Sequence, residues 1–150
     1  MLLLIKYQKS PMIRYIYLIF PILIFGQNID MYISLIDEGQ INSVKEKLPE
    51  LISKYPNNAG VIYLQALLTK DGMKSLDLYK MIIEKFPKSS FSDDASVKLG
   101  EYFYARGLYS QACRSLSQFP RKHPRFYDMQ RVIDLLVGSF QAVGQNDSAK

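Results

Sequence analysis

Leu99–Pro124 reads LGEYFYARGLYSQACRSLSQFPRKHP. Apolar residues recur through it at helical spacing, Gly107 interrupts the pattern, and Pro120 and Pro124 close it. Such a stretch predicts two helices joined by a tight turn. An echo of it lies upstream. Gly39 and Gly107, Val44 and Ala112, Leu48 and Leu116, and Pro56 and Pro124 are each 68 residues apart, twice 34. Between them Ser75, Tyr79 and Pro87 keep the spacing of Ala112, Leu116 and Pro124. The intervals Pro56–Pro87 and Pro87–Pro124 are 31 and 37 residues, so the middle copy differs in its loops. Sustained strand alternation and Asn-Gly hairpin signals do not occur. The chain is therefore expected to be all-α, built from repeated helical hairpins.

A period of 34 residues is that of the tetratricopeptide repeat, and the third copy resembles that family in detail. Leu99 and Gly100 fit its Leu-Gly pair, and Phe103 its bulky residue one turn later. A glycine at 100 would let a neighbouring helix approach closely. Gly107 ends the first helix, Tyr109 caps the turn, and Ala112 is the small residue where two helices cross. Leu116 packs below Ala112, and Pro124 stops the second helix. Ser75–Ser89 looks like the second helix of another copy. The resemblance implies an α-solenoid of antiparallel helix pairs, about three and a half repeats over residues 28–150.

Departures from the pattern carry their own expectations. Tyr32 stands where Gly100 stands in the third copy, so the first hairpin should pack differently. Pro49 should kink the second helix of copy one, and Pro120 should kink or shorten that of copy three. Ala142–Lys150 repeats the turn motif of ARGLYSQA, with Gly144 and Ala149 spaced like Gly107 and Ala112. A helix expected at 126–143 carries Val132, Ile133, Leu135, Leu136, Val137 and Phe140, apolar on more sides than a terminal cap should be. The expectation is a repeat domain truncated at its C-terminus, able to self-associate through that helix.

The 150 residues suit one domain with a sizeable core. The net charge of +5 is unevenly spread. Residues 1–26 hold Lys6, Lys9 and Arg14 and no acid; without them 16 bases face 14 acids. That balance gives little ground for nucleic-acid binding. The same residues place a charge-free run, Tyr15–Gly26, after a basic segment, which is the pattern of a secretory signal peptide. Met12 is an alternative start. Twelve helical residues rise about 18 Å, short of a bilayer core of about 30 Å. Cleavage near Gly26 is expected, with an uncleaved membrane anchor as the alternative. The lack of a cysteine just after the run argues against lipidation. A periplasmic or otherwise exported location follows, with membrane contact only through an uncleaved segment.

Catalytic chemistry finds little footing. The single histidine, His123, has no acidic neighbour in sequence, so it reads as a solvated loop residue rather than a base. Cys113, the single cysteine, reads as inert packing. Asp93 and Asp94 suggest a carboxylate pair, but Ser92 or Asp93 more simply caps a helix. Phosphate-binding glycine loops, HExxH and GxSxG do not occur. No enzyme activity, cofactor or metal is expected.

Binding is the remaining expectation. In the family it resembles, first helices line a concave, peptide-binding surface. Lys98, Glu101, Tyr102 and Ala105 share one face of such a helix, and Arg131, Asp134 and Gln141 are the counterparts in copy four. Arg121, Lys122, His123 and Arg125 form the dense basic patch, either a solvated inter-repeat loop or a dock for an acidic group. The run SLDLYKMIIEKFPKSSFSDDASVKLGEYFYARGLYSQA is similar to bacterial periplasmic proteins of the Tol-Pal-associated YbgF family and the outer-membrane assembly lipoprotein BamD. That similarity implies an exported module binding a protein or peptide in the cell envelope. The alternative is the non-catalytic arm of a longer envelope protein, such as one with a peptidoglycan-binding domain beyond Lys150.

Overall fold

The computed structural model describes residues 29–144. The expected signal segment at 1–26 and the turn motif's continuation at 145–150 lie outside them. Helix α1 covers 29–37. It is followed by α2 (Ile41–Lys54), α3 (Ala59–Leu68), α4 (Gly72–Lys85), α5 (Ser90–Ala105), α6 (Tyr109–Leu116), α7 (Phe119–Lys122) and α8 (Met129–Ala142). There is no strand among the described residues. The fold is an all-α solenoid of three hairpins, α1–α2, α3–α4 and α5–α6/α7, with α8 as the first helix of a fourth.

Local chemistry sets the helix ends. Gly39, Gly107 and Gly144 follow the first helices of copies one, three and four with φ of 82°, 71° and 76°. A residue with a Cβ is strained in that left-handed region, which glycine enters freely. Copy two uses a cap instead: the Asp71 carboxylate accepts from the backbone N–H of Met73 and Lys74, at 3.0 and 3.3 Å. Asn58 likewise accepts from Gly60 and Val61 to start α3.

Several boundaries differ from expectation. The cap of α5 is Ser89, which accepts from the Phe91 N–H, so Ser92 and Asp93 lie inside the helix. Ser92 is free for burial and Asp93 for an ion pair. Leu108, not Tyr109, occupies the N-cap of α6, without a side-chain bond. Tyr109 instead sets its ring edge-on to Tyr104, 5.3 Å away. Pro120 shortens α6 and sits in the first turn of α7, where a missing N–H costs nothing. The helix α2 carries on through Pro49. The last helix begins at Met129, three residues later than expected, because 123–128 form a loop of consecutive turns.

Packing follows the repeat. Val44, Ala112 and Leu116, all in second helices, are fully buried. A cluster of Ile29, Val44, Val61 and Leu64 joins the first hairpin to α3, with Tyr32 packed at its edge. Ile62, Tyr63, Ala66, Tyr79, Ile82 and Ala95 join α3 and α4 to α5. Val97, Leu116, Phe119, Val132 and Leu136 join the third hairpin to α8. Each fully buried Leu, Ile or Val contributes roughly 1.5–3 kcal/mol. Helix α3, enclosed by α2, α4 and α5, is apolar almost all round and buried from Ala59 to Leu64. At Ser75, the copy-two match of Ala112, the hydroxyl donates to the Ala66 carbonyl at 2.8 Å. The small residue here is tied as well as packed.

The apolar surface of α8 is smaller than its composition suggests. Val132 and Leu136 are buried, Leu135, Val137 and Phe140 are partly covered, and Ile133 alone of the six is exposed.

The direction of curvature can be read from which helices touch. Among first helices, α3 meets α5 and α5 meets α8, whereas the backbones of α2, α4 and α6 stay apart from one another. The first helices therefore form the tighter, inner layer and the second helices the splayed, outer one.

Candidate functional site

The inner layer carries a groove built by α3, α5, α8 and the loop between α7 and α8. On α5, Asp94, Lys98 and Glu101 fall at i, i+4 and i+7, one helical stripe. Buried Val97 anchors the helix behind it. Lys98 Nζ lies 3.2 Å from Glu101 Oε2. Arg131 reaches across from α8, its Nε 2.5 Å from Glu101 Oε1 and its Nη1 3.8 Å from Asp128. Glu101 thus receives cations from two successive first helices, which fixes their spacing.

Beyond Asp94 the groove widens into an open cleft of about 460 Å³, lined by Asp93, Asp94, Lys122, His123, Arg125 and Tyr127 among others. His123 is not a free loop residue. Its Nδ1 stands 3.0 Å from Asp93 Oδ2, and its ring stacks on Phe119 at 4.6 Å. The turn after α7 brings it back over the start of α5, a neighbour invisible in local sequence. Phe119 in turn meets Phe126 edge-on at 5.2 Å, and Phe126 contacts Tyr127 at 4.6 Å. This aromatic chain shapes the cleft wall.

A smaller cavity of about 30 Å³ adjoins the cleft, lined by Tyr63, Asp94, Lys98, Glu101, Tyr127 and Arg131 among others. Asp94 Oδ1 is buried and has no hydrogen-bond partner among the described residues. Burial pushes the Asp94 carboxyl up from the usual carboxylate range, and the Tyr127 hydroxyl eases that shift. The Tyr127 phenol is itself pushed up to about 12, by desolvation of its hydroxyl end and by the neighbouring Asp94. Its ring is nonetheless 84% exposed.

The residues expected at the concave face divide. Lys98, Glu101 and Arg131 meet in the groove, and Lys122, His123 and Arg125 of the basic patch line the adjoining cleft. Arg121 is exposed outside both linings. Tyr102 turns away, toward the start of α4: its hydroxyl lies 3.3 Å from Met73 Sδ, and Arg106 covers its ring. Ala105 ends α5, exposed. Asp134 accepts from Gln130, and with Gln141 stays exposed on α8 outside both linings. Phe126, Tyr127 and Tyr63 were not anticipated, and Asp94 was considered only with Asp93 as a carboxylate pair near a helix cap. The α5 stripe pointed to Asp94, four residues before Lys98; the loop aromatics had no comparable signal.

Elsewhere, Leu99, Gly100 and Phe103 lie on α5, Gly107 in the turn after it, and Ala112 and Leu116 on α6, which ends well before Pro124. A methyl group at Gly100 would strike Leu116 at 2.4 Å. Residues 94–125, spanning α5 to just past α7, match the family model for the tetratricopeptide repeat. That segment is a tetratricopeptide repeat. No curated protein and no solved structure matches it. Tetratricopeptide repeats serve generally as protein-interaction modules, and the groove lies on the first-helix side of this array. Cys113 is buried, and desolvation pushes its thiol up, away from reactivity. Among the described residues no group of three or more His, Cys, Asp or Glu could hold a metal ion, and no helix is long and apolar enough to cross a membrane.

Proposed function

We propose that this tetratricopeptide repeat chain is an exported interaction module of a bacterial cell envelope, holding a partner peptide or protein on its inner face. The observation that carries the reading is the groove itself. Three successive first helices supply Tyr63, Lys98, Glu101 and Arg131 to one surface, continuous with an open cleft walled by Phe126 and Tyr127. Exposed aromatics beside fixed charges are the makings of a binding hot spot. The basic segment and charge-free run of residues 1–26 support export, and the similarity to YbgF and BamD supports a role in outer-membrane assembly or of the Tol-Pal kind.

A second reading is a non-catalytic arm of a longer envelope protein. Gly144 favours it: its φ of 76° repeats that of Gly39 and Gly107, each of which leads into a second helix.

The test has two parts. N-terminal sequencing of the protein made in a bacterial host should find cleavage near Gly26; a cytoplasmic product retaining Met12 would sink the export claim. Affinity capture from envelope extract should enrich a partner with the wild-type chain and lose it with Tyr127→Ala plus Arg131→Glu. Capture unaffected by those changes would place binding elsewhere.

A further inference from the structure

We propose that the Asp94 pocket receives a primary ammonium group of the partner, a lysine side chain or an amino terminus, held between the carboxylate and the rings of Tyr63 and Tyr127. This deepens the inner-face reading and rests on it.

The charge inventory of the groove leads there. Asp93 is paired with His123, Glu101 with Lys98 and Arg131, and Asp128 with Arg131. Asp94 is the remaining acid of the lining, and among the described residues no cation lies within ion-pair distance of it. Its Oδ1 is buried without a hydrogen bond to any described residue. Leaving a buried carboxylate oxygen unmatched is costly, and a cationic donor repays most where the charge is already desolvated. The upward shift of the Asp94 carboxyl is in keeping with that unmet demand.

Size narrows the ligand. The cavity beside Asp94 measures about 30 Å³, room for a group the size of water. An ammonium head fits that space; a planar guanidinium is larger. Tyr63 from α3 and Tyr127 from the loop supply aromatic walls, and a cation near such rings gains about 0.5–2 kcal/mol. Tyr127 lines both the cavity and the open cleft, and its exposed ring can turn to admit a side chain from the cleft.

The rim adds a second requirement. Lys122 and Arg125 line the cleft, exposed, with no acid in ion-pair distance among the described residues. They would repel a bare cation and favour a base flanked by acids. The ligand is therefore a peptide with an ammonium between carboxylates.

The probe is a heptapeptide, capped at both ends, with one central lysine flanked by glutamates, titrated into the ¹⁵N-labelled full chain. Saturable shifts at the amides of Asp94 and Tyr127 are expected. Affinity should fall about fivefold or more when the lysine is acetylated, and equally in Asp94→Asn, with helicity by circular dichroism unchanged. Asp77→Asn on α4 should bind as wild type. An uncapped, lysine-free peptide that binds with the same dependence on Asp94 would support the pocket and assign the ammonium to an amino terminus. Equal binding of the acetylated peptide, indifference to Asp94→Asn, or no binding at all would overturn the proposal. Shifts confined to other inner-face residues would overturn it too, while leaving the interaction reading to the capture experiment.

Discussion

A methyl group placed on Gly100 would stand 2.4 Å from Cδ1 of Leu116, 2.7 Å from its Cγ and 3.0 Å from its Cδ2. The whole leucine side chain rests on the glycine, and Leu116 is fully buried. The crossing of α5 and α6 depends on that contact, and the core cluster shared with α8 is built on the same leucine.

Gly100→Ala should therefore destabilise the chain by about 1–3 kcal/mol, as overpacking does, despite the better helix propensity of alanine. Gly138→Ala is the control. A methyl group there meets the far end of Tyr104, whose ring is part exposed and can swing away. That variant should be neutral or gain up to about 1 kcal/mol. Chemical denaturation of both variants checks the pair.

Ala112 is completely buried where α6 crosses its neighbours. Ala112→Arg combines overpacking with an unpaired buried charge and should cost several kcal/mol, on the order of 3–5. An unchanged melting temperature would show the repeat register to be wrong.

Gly107 has open space around a Cβ but a φ of 71°. Gly107→Ala should cost about 1 kcal/mol through backbone strain alone. Circular dichroism melting, with helicity at low temperature preserved, separates this from loss of packing.

Asp94 gives a pH signature. Its carboxyl is raised in the folded chain, so the folded state holds its proton to higher pH than the unfolded state does. Stability from this group is greatest below the unfolded carboxylate range and falls as pH rises through the folded value. Above both values the penalty is full. Asp94→Asn removes it and should raise the melting temperature at pH 7 by a few degrees, roughly 3–5 °C per kcal/mol for this size. Its effect should shrink as pH is lowered toward 4 and below.

The repeat was readable in the sequence because its constraints are local and periodic. Gly107 needs a left-handed turn, Ala112 a small side chain, and Pro124 a helix end, each at fixed spacing. The inner-face site was readable only in part. Lys98 and Glu101 share a helix, and their stripe extends to Asp94 by counting alone. The partners from outside it, Arg131 on Glu101 and His123 on Asp93, are 30 residues away in each case and meet through the turn after α7. Pro120 hid that turn, since a proline can kink a helix or begin one, and the choice is made by packing of Phe119 beneath it. Tyr102 illustrates the reverse: it lies next to Glu101 in sequence and one turn past Lys98, yet leans onto Met73 because α4 and α5 run antiparallel there.

In the proposed function the first-helix layer, not the splayed second-helix layer, holds the partner. Site-specific photo-cross-linking tests it most directly, with the reactive residue placed singly at Lys98 and Tyr127 on the inner face and at Glu46 and Lys80 on α2 and α4. One common cross-linked partner is expected at Lys98 and Tyr127, and none at Glu46 or Lys80. Cross-links confined to Glu46 and Lys80 would contradict it.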